Sequence, residues 1–163
     1  MYGSSGCYSF EWVLTKSTGV DRPNLDERLR IALLLAKAVQ KWHSVGWVHQ
    51  GISSTNVFFL QFSETRKIDY SNPFLQGFAF SGRDLDPSIG RAPEDIASNV
   101  YRHPNRQGSS RQGHRKIHDI YSLGIILLEL GLWQRAVDIV HATQTLNPPP
   151  QKIQERAQFA AQT

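Results

Sequence analysis

An internal disulfide framework is excluded at the outset, because this 163-residue chain has a single cysteine, Cys7. One thiol fits a reducing intracellular compartment, and a cytoplasmic location is expected. Nothing near Cys7 marks an activated thiolate. A long hydrophobic run is also missing. The longest apolar stretch, Ile120 to Leu132, is too short for a bilayer and contains Glu129, so no membrane segment is expected. Met1 to Phe10 has neither a basic n-region nor an apolar h-region, and no secretory leader is expected there. Charge of one sign is not in great excess. The net charge of +4 arises largely between Arg102 and Lys116, a local patch rather than a basic protein. No aromatic is interleaved with Arg102, Arg106, Arg111, Arg115 and Lys116 after Tyr101, so a solvated basic loop is the expectation and no nucleic-acid partner is expected. His114 and His118 are four apart beside Asp119, a spacing compatible with metal ligation on a helix face. A third ligand at motif spacing is lacking, and no metal site is assigned. No internal repeat is visible.

What is present suffices for one domain, with 40% hydrophobic residues to form a core. The sequence divides into a hinge-like segment (1–23), a core (24–133) and a helical tail (134–163). Tyr8 to Leu14 reads equally as a short strand or a first helical turn, and Thr15 to Pro23 as a loop. Asn24 caps a helix and Glu27 closes a capping box. From Leu25 to Trp42, residues Leu29, Ile31, Ala32, Leu33, Leu34, Leu35, Ala36, Ala38, Val39 and Trp42 wrap most of the surface, which predicts burial on nearly all sides. Gly46 ends the helix as a left-handed cap. Trp47 to Phe59 follows as a polar loop between an apolar helix and an apolar strand. Val57 to Leu60 and Pro73 to Leu75 bracket polar residues 63–72, predicting a two-stranded hairpin with a long exposed tip. The stretch from Asp84 to Ser98 reads as a long loop, the kind that in a compact domain usually has a function. A second all-round apolar helix, Ile117 to Trp133, is predicted to be central. The tail has helical patterns at Arg135 to Thr143 and Lys152 to Ala161, separated by Pro148-Pro149-Pro150.

Several of these stretches, in order, resemble the C-terminal lobe of a protein kinase. Trp42-His43-Ser44-Val45-Gly46-Trp47-Val48-His49 follows that family's L-H-x-x-G-x-x-H pattern. The loop His49-Gln50-Gly51-Ile52-Ser53-Ser54-Thr55-Asn56 stands where the family has H-R-D-L-K-P-E-N, and Gly77-Phe78-Ala79 where it has D-F-G. Tyr101-Arg102-His103-Pro104-Asn105 is similar to the region ending in A-P-E. Asp119-Ile120-Tyr121-Ser122-Leu123-Gly124 is similar to the family's central helix, whose Asp bonds the catalytic-loop backbone, a role implied for Asp119. The literal Ala92-Pro93-Glu94 lies too far before Asp119 and is read as coincidence. Within the superfamily the wording resembles fungal kinase-like domains that follow HeLo-type prion-inhibition-and-propagation domains.

The resemblance implies a mainly α fold of the α+β class: a partial kinase-like C-lobe with two buried central helices and a small β-hairpin. The glycine-rich loop, the lysine strand and the Glu-bearing helix of an N-lobe are absent from this sequence. It also implies chemistry that the residues do not supply. Phosphoryl transfer needs charge stabilisation by metal and lysine and a carboxylate to accept the hydroxyl proton. Gly51 stands at the position of the catalytic Asp, Ser53 at that of the Lys and Gly77 at that of the metal-binding Asp. Asn56 is the remaining metal-ligand position, although its amide is expected to bond loop backbone. His49 is expected to pack rather than act as a base, and Asp84 to be a solvated carboxylate rather than a substitute ligand. Tyr101, Pro104 and Asp119 are assigned structural roles. The expected function is therefore a catalytically degenerate binding or regulatory module with protein partners. The alternatives are an ATP-dependent Ser/Thr kinase-like transferase whose parent protein supplies the N-lobe, with Mg-ATP as its cofactor, or a truncated fragment without independent function.

Overall fold

A computed structural model describes residues 6–16, 22–62, 67–84, 96–107 and 113–146. Ala92-Pro93-Glu94, Arg111, Pro148-Pro149-Pro150 and the helix expected at Lys152 to Ala161 lie outside these residues. The chain runs through β1 (Gly6–Ser9), α1 (Phe10–Lys16), α2 (Leu25–Ser44), β2 (Trp47–Val48), β3 (Val57–Gln61), β4 (Ile68–Leu75), β5 (Gly82–Arg83), α3 (Ile96–Asn99), α4 (Lys116–Leu132) and α5 (Ala136–Leu146). The described residues form a helix-rich domain with small antiparallel sheets, of the α+β type.

The ambiguous stretch at Tyr8 to Leu14 is both things it could be. β1 ends at Ser9 and α1 starts at Phe10, with Ser9 Oγ accepting from Trp12 N at 3.2 Å to satisfy one orphan amide of the first turn. β1 pairs antiparallel with β3, placing Tyr8 opposite Phe59, and β3 pairs antiparallel with β4. The expected hairpin is thus the central and outer part of a three-stranded sheet, ordered β1-β3-β4. Within residues 6–16, Phe10 and Val13 are fully buried. The hairpin tip is not as long as the polar composition suggested. β4 begins at Ile68, and Ile68 and Tyr70 turn their apolar surface onto the core. Pro73 is accommodated because β4 is an edge strand, where a missing ladder N–H costs little.

α2 starts as its local signals dictate. Asn24 Oδ1 accepts from Glu27 N at 2.9 Å and Glu27 Oε2 accepts from Asn24 N at 2.8 Å, a complete capping box. It ends at Gly46, whose φ of +79° suits a residue without Cβ. Its burial differs from expectation. Ile31, Leu35 and Val39, spaced by four, form the buried stripe. Leu25, Leu29 and Leu33 are 59%, 59% and 53% exposed. α2 packs on β4 and α4 along one side, so the apolar residues of its other face have no partner among the described residues. α4 is one-sided in the same way: Leu123, Ile126 and Leu130 are buried, while Ile117, Ile120, Leu128 and Leu132 are exposed.

The core is completed by aromatics. Phe10 meets Phe59 edge-on at 6.0 Å and Trp133 at 5.6 Å, and Tyr70 touches both of those rings, at 5.2 and 6.0 Å. Trp133 sits just past α4 with φ +54°, and its N–H donates to Glu129 O at 2.7 Å. Burial of the indole holds that left-handed cap against the usual steric cost. Arg28 on α2 donates to the carbonyls of Leu130 and Gly131 at 3.3 and 3.0 Å, so a guanidinium covers the negative end of α4. No helix among the described residues is long and apolar enough to cross a membrane.

Candidate functional site

The loop at 47–56 leaves α2 as a short strand, β2, pairs with β5, and re-enters the sheet at Val57. Its shape is fixed by a carboxylate from α4. Asp119, 1% exposed, accepts from His49 N at 2.7 Å on Oδ2 and from Gln50 N at 3.0 Å on Oδ1. Two imidazoles complete its shell: His43 Nε2 lies 3.0 Å from Oδ2 and His114 Nε2 2.9 Å from Oδ1. Burial pushes this carboxyl's pKa up. The bonds from His114, His43 and the backbone N–H of His49 outweigh it and hold the group at about 2. Asp119 therefore stays ionised and clamps α2, the loop and α4 together. Gln50, at φ +64°, is the strained residue that this clamp holds in place.

The remaining loop residues are absorbed in structure. His49 is buried against Phe78, ring centroids 4.5 Å apart, and its Nδ1 accepts from Gly51 N at 3.2 Å. Burial lowers its pKa, favouring the neutral ring. Asn56 Nδ2 donates to Gly51 O at 2.7 Å, and Asn56 O accepts from Gln76 N at 2.8 Å. Ser53 Oγ shares a 2.7 Å hydrogen bond with Thr55 Oγ1. Gly51 and Gly77 face each other: a Cβ built on Gly51 would come 3.3 Å from Gly77 O. Gly77 has φ +90°, and a Cβ there would lie 2.6 Å from Asn56 Nδ2. Asp84 does not enter the site. It is half-buried beside the end of α2, its N–H donating to Gly46 O at 2.9 Å.

A second network was not legible in the sequence. Glu129, fully buried on α4, accepts from Tyr101 OH at 2.7 Å and from Ala136 N at 2.8 Å. With that proton committed, Tyr101 OH accepts from Ser54 Oγ at 2.7 Å. Ser122 Oγ donates to Tyr101 O at 2.7 Å. Burial, reinforced by the charge of Glu129, pushes the Tyr101 phenol far up, and burial raises the Glu129 carboxyl. Glu129 looked like one residue of an apolar helix, and its only sequence signal was a charge inside that run. Tyr101→Phe should cost roughly 1–3 kcal/mol in urea unfolding, because Ser54 and Glu129 lose a buried partner. A cost below a few tenths would remove this network from the site's support.

Between the loop and residues 97–106 lies a cleft of about 500 Å³, lined by Gln50, Gly51, Ser53, Asn56 and Gly77 on one side and by Tyr101, Arg102, His103, Arg106, His114 and His118 on the other. Pro104 begins the short turn Pro104–Arg106 that shapes this wall. The expected solvated basic loop is corrected at two positions, since Arg106 is buried and Arg102 half-buried, while Arg115 is exposed. His114 and His118, whose spacing alone was compatible with metal ligation, do not share a helix face. His114 precedes α4 and points its Nε2 at Asp119. No group of three or more His, Cys, Asp or Glu side chains among the described residues is arranged to hold a metal ion.

Fold and site together define a helix-rich α+β domain whose polar loop is anchored by a buried carboxylate beside a cleft. No protein-family model matches the chain. It is similar to eukaryotic translation initiation factor 2-alpha kinase 3 of Bos taurus, 25% identical over 154 residues, which cover 86% of this chain and 13% of that protein. This likeness suggests a protein kinase-like relationship. The chain spans only that small part of the relative.

Proposed function

We infer that the chain is a kinase-like module that works by binding and does not transfer phosphate. The observation that carries this reading is the pair Gly51 and Gly77 facing each other across the cleft. The residues do not fit a magnesium nucleotide. Gly77 offers no side-chain ligand, Asn56, whose Nδ2 donates to Gly51 O, offers at most its Oδ1, and among the described residues lining the cleft the one carboxylate is Glu11. Phosphoryl transfer relies on metal ions and on a residue that accepts or orients the attacking hydroxyl, and these residues supply neither. The loop beside the cleft is nevertheless held in shape by Asp119, as a binding surface requires. Protein partners inside the cell are the proposed context. The likeness to fungal domains that follow HeLo-type domains supports a regulatory role within a larger protein.

The test is a thermal melt of the chain with and without excess magnesium-ATP. A ligand at a hundred times its dissociation constant adds about 2.7 kcal/mol, or roughly 8 °C for a domain of this size. A cooperative transition that does not move is the expected result. A shift of several degrees would show that the cleft holds the nucleotide, overturn the claim that its residues do not fit one and reopen the transferase alternative, and a melt without cooperativity would favour a fragment without independent function.

A further inference from the structure

α2 and α4 lie side by side and run in opposite directions. His43 near the end of α2 reaches Asp119 near the start of α4, and Arg28 near the start of α2 reaches the carbonyls of Leu130 and Gly131 near the end of α4. Ile31, Leu35 and Val39 of one helix and Leu123, Ile126 and Leu130 of the other enter the same core cluster. The uncovered faces of the two helices therefore lie on one side, away from that core. On α2 this face is Leu25, Leu29 and Leu33, a stripe at four-residue spacing, and α4 adds Ile120 and Leu127, all of them exposed. Single surface leucines need no explanation, whereas a contiguous apolar patch marks an interaction site.

The stripe is edged by charge in a pattern that is complementary to its own reverse. Asp26 and Lys37 are both exposed and stand about three helical turns apart. They share the edge of the stripe next to Leu33, which lies about two turns beyond Asp26 and one before Lys37. Arg30, between them in sequence, instead lines a groove against β4 with Asp69. A second copy related by a two-fold axis across the stripe runs antiparallel, and each copy's Asp26 then meets the other copy's Lys37. The same register puts Leu29 beside the other copy's Leu33 and the small Ala36 against the gap between Leu25 and Leu29. A parallel copy in register would set Asp26 against Asp26 and Lys37 against Lys37.

We propose that this face of α2 and α4 is a homodimer interface, in which two copies pack their Leu25, Leu29 and Leu33 stripes antiparallel and join Asp26 to Lys37 twice. Burial of the leucines supplies the affinity, and the two charge pairs fix register and direction. None of these side chains lines the cleft, so the interface goes beyond the reading of the cleft and stands apart from it.

Sedimentation equilibrium of the full chain over a wide range of concentration tests this. A reversible monomer–dimer equilibrium is expected. Leu29→Glu, at an exposed position, should abolish the dimer. Lys37→Glu sets like charges together at both ends of the interface and should raise the dimer Kd roughly tenfold, the loss of two surface ion pairs. Adding Asp26→Lys to that variant restores opposite charges and should restore the affinity. If Leu29→Glu does not melt cooperatively, the two charge variants carry the comparison, because substitutions at exposed charges cost little stability. A chain that is monomeric at every concentration overturns the proposal, and so does a dimer whose affinity ignores both charge reversals. A monomeric chain that becomes dimeric with Ile153→Glu overturns it as well and assigns the face to residues 147–163.

Discussion

Asp119→Ala is expected to destabilise the domain by roughly 3–5 kcal/mol, the range for breaking a buried charge-bearing cluster by removing one member. The backbone N–H groups of His49 and Gln50 lose their acceptor, and the His43 and His114 rings lose the anion between them. Urea unfolding measures it directly, and a loss below about 1 kcal/mol would show that the loop is held by other means. Asp119→Asn should fall between the two, because it keeps one acceptor oxygen and turns the other position into a donor facing groups that themselves donate. The pH dependence has a definite sign. A carboxyl held at about 2 in the folded state, against about 3.9 in an unfolded chain, contributes stability that is fully present above pH 4 and is lost as the pH falls toward 2. In the alanine variant this acid-range slope should be shallower.

The second large effect concerns placing a carboxylate at each of the two facing glycines. Gly51→Asp and Gly77→Asp look equivalent in sequence, yet they should behave differently. Gly51 has a φ outside the left-handed region, and its nearest neighbour to a new Cβ is a backbone oxygen at 3.3 Å, a contact that small adjustment accommodates. Gly77 combines φ +90° with a contact of 2.6 Å to Asn56 Nδ2. The backbone strain costs roughly 1–3 kcal/mol, and displacing the Asn56 amide from Gly51 O adds about 1 more. Gly77→Asp should therefore lower stability by about 2–4 kcal/mol and loosen the loop, whereas Gly51→Asp should cost under about 1.5. Equal costs for the two variants would mean that the Gly77 turn relaxes freely. The asymmetry indicates that the loop is built around a glycine at 77, beyond merely lacking an aspartate.

Local signals were read well from the sequence and tertiary ones poorly. The capping box of Asn24 and Glu27 and the left-handed Gly46 depend on neighbours within a few residues, and both stand as expected. Burial of Leu25, Leu29 and Leu33 was misjudged because a periodicity identifies an apolar face without saying whether anything packs on it. β1 was ambiguous since four residues are too few for an alternation to register. The likeness of Asp119-Ile120-Tyr121-Ser122-Leu123-Gly124 to the kinase central helix singled out Asp119. It did not indicate that His43 and His114 would bracket the carboxylate, because those contacts join residues 76 and 5 positions away in three separate elements. Arg106 looked like one more solvated charge, yet it is buried at the end of the turn that begins at Pro104.

The bond from Arg28 to the far end of α4 spans 103 residues of chain. Closures of that length are paid for in entropy before any contact is made, so they come late in folding. During synthesis the Ile31, Leu35 and Val39 stripe would leave the ribosome long before Leu123, Ile126 and Leu130 exist to cover it. At about 5–20 residues per second the wait is on the order of 5–18 s. For that interval α2 has only β4 to pack on, and the part of its stripe that α4 will cover stays open to water.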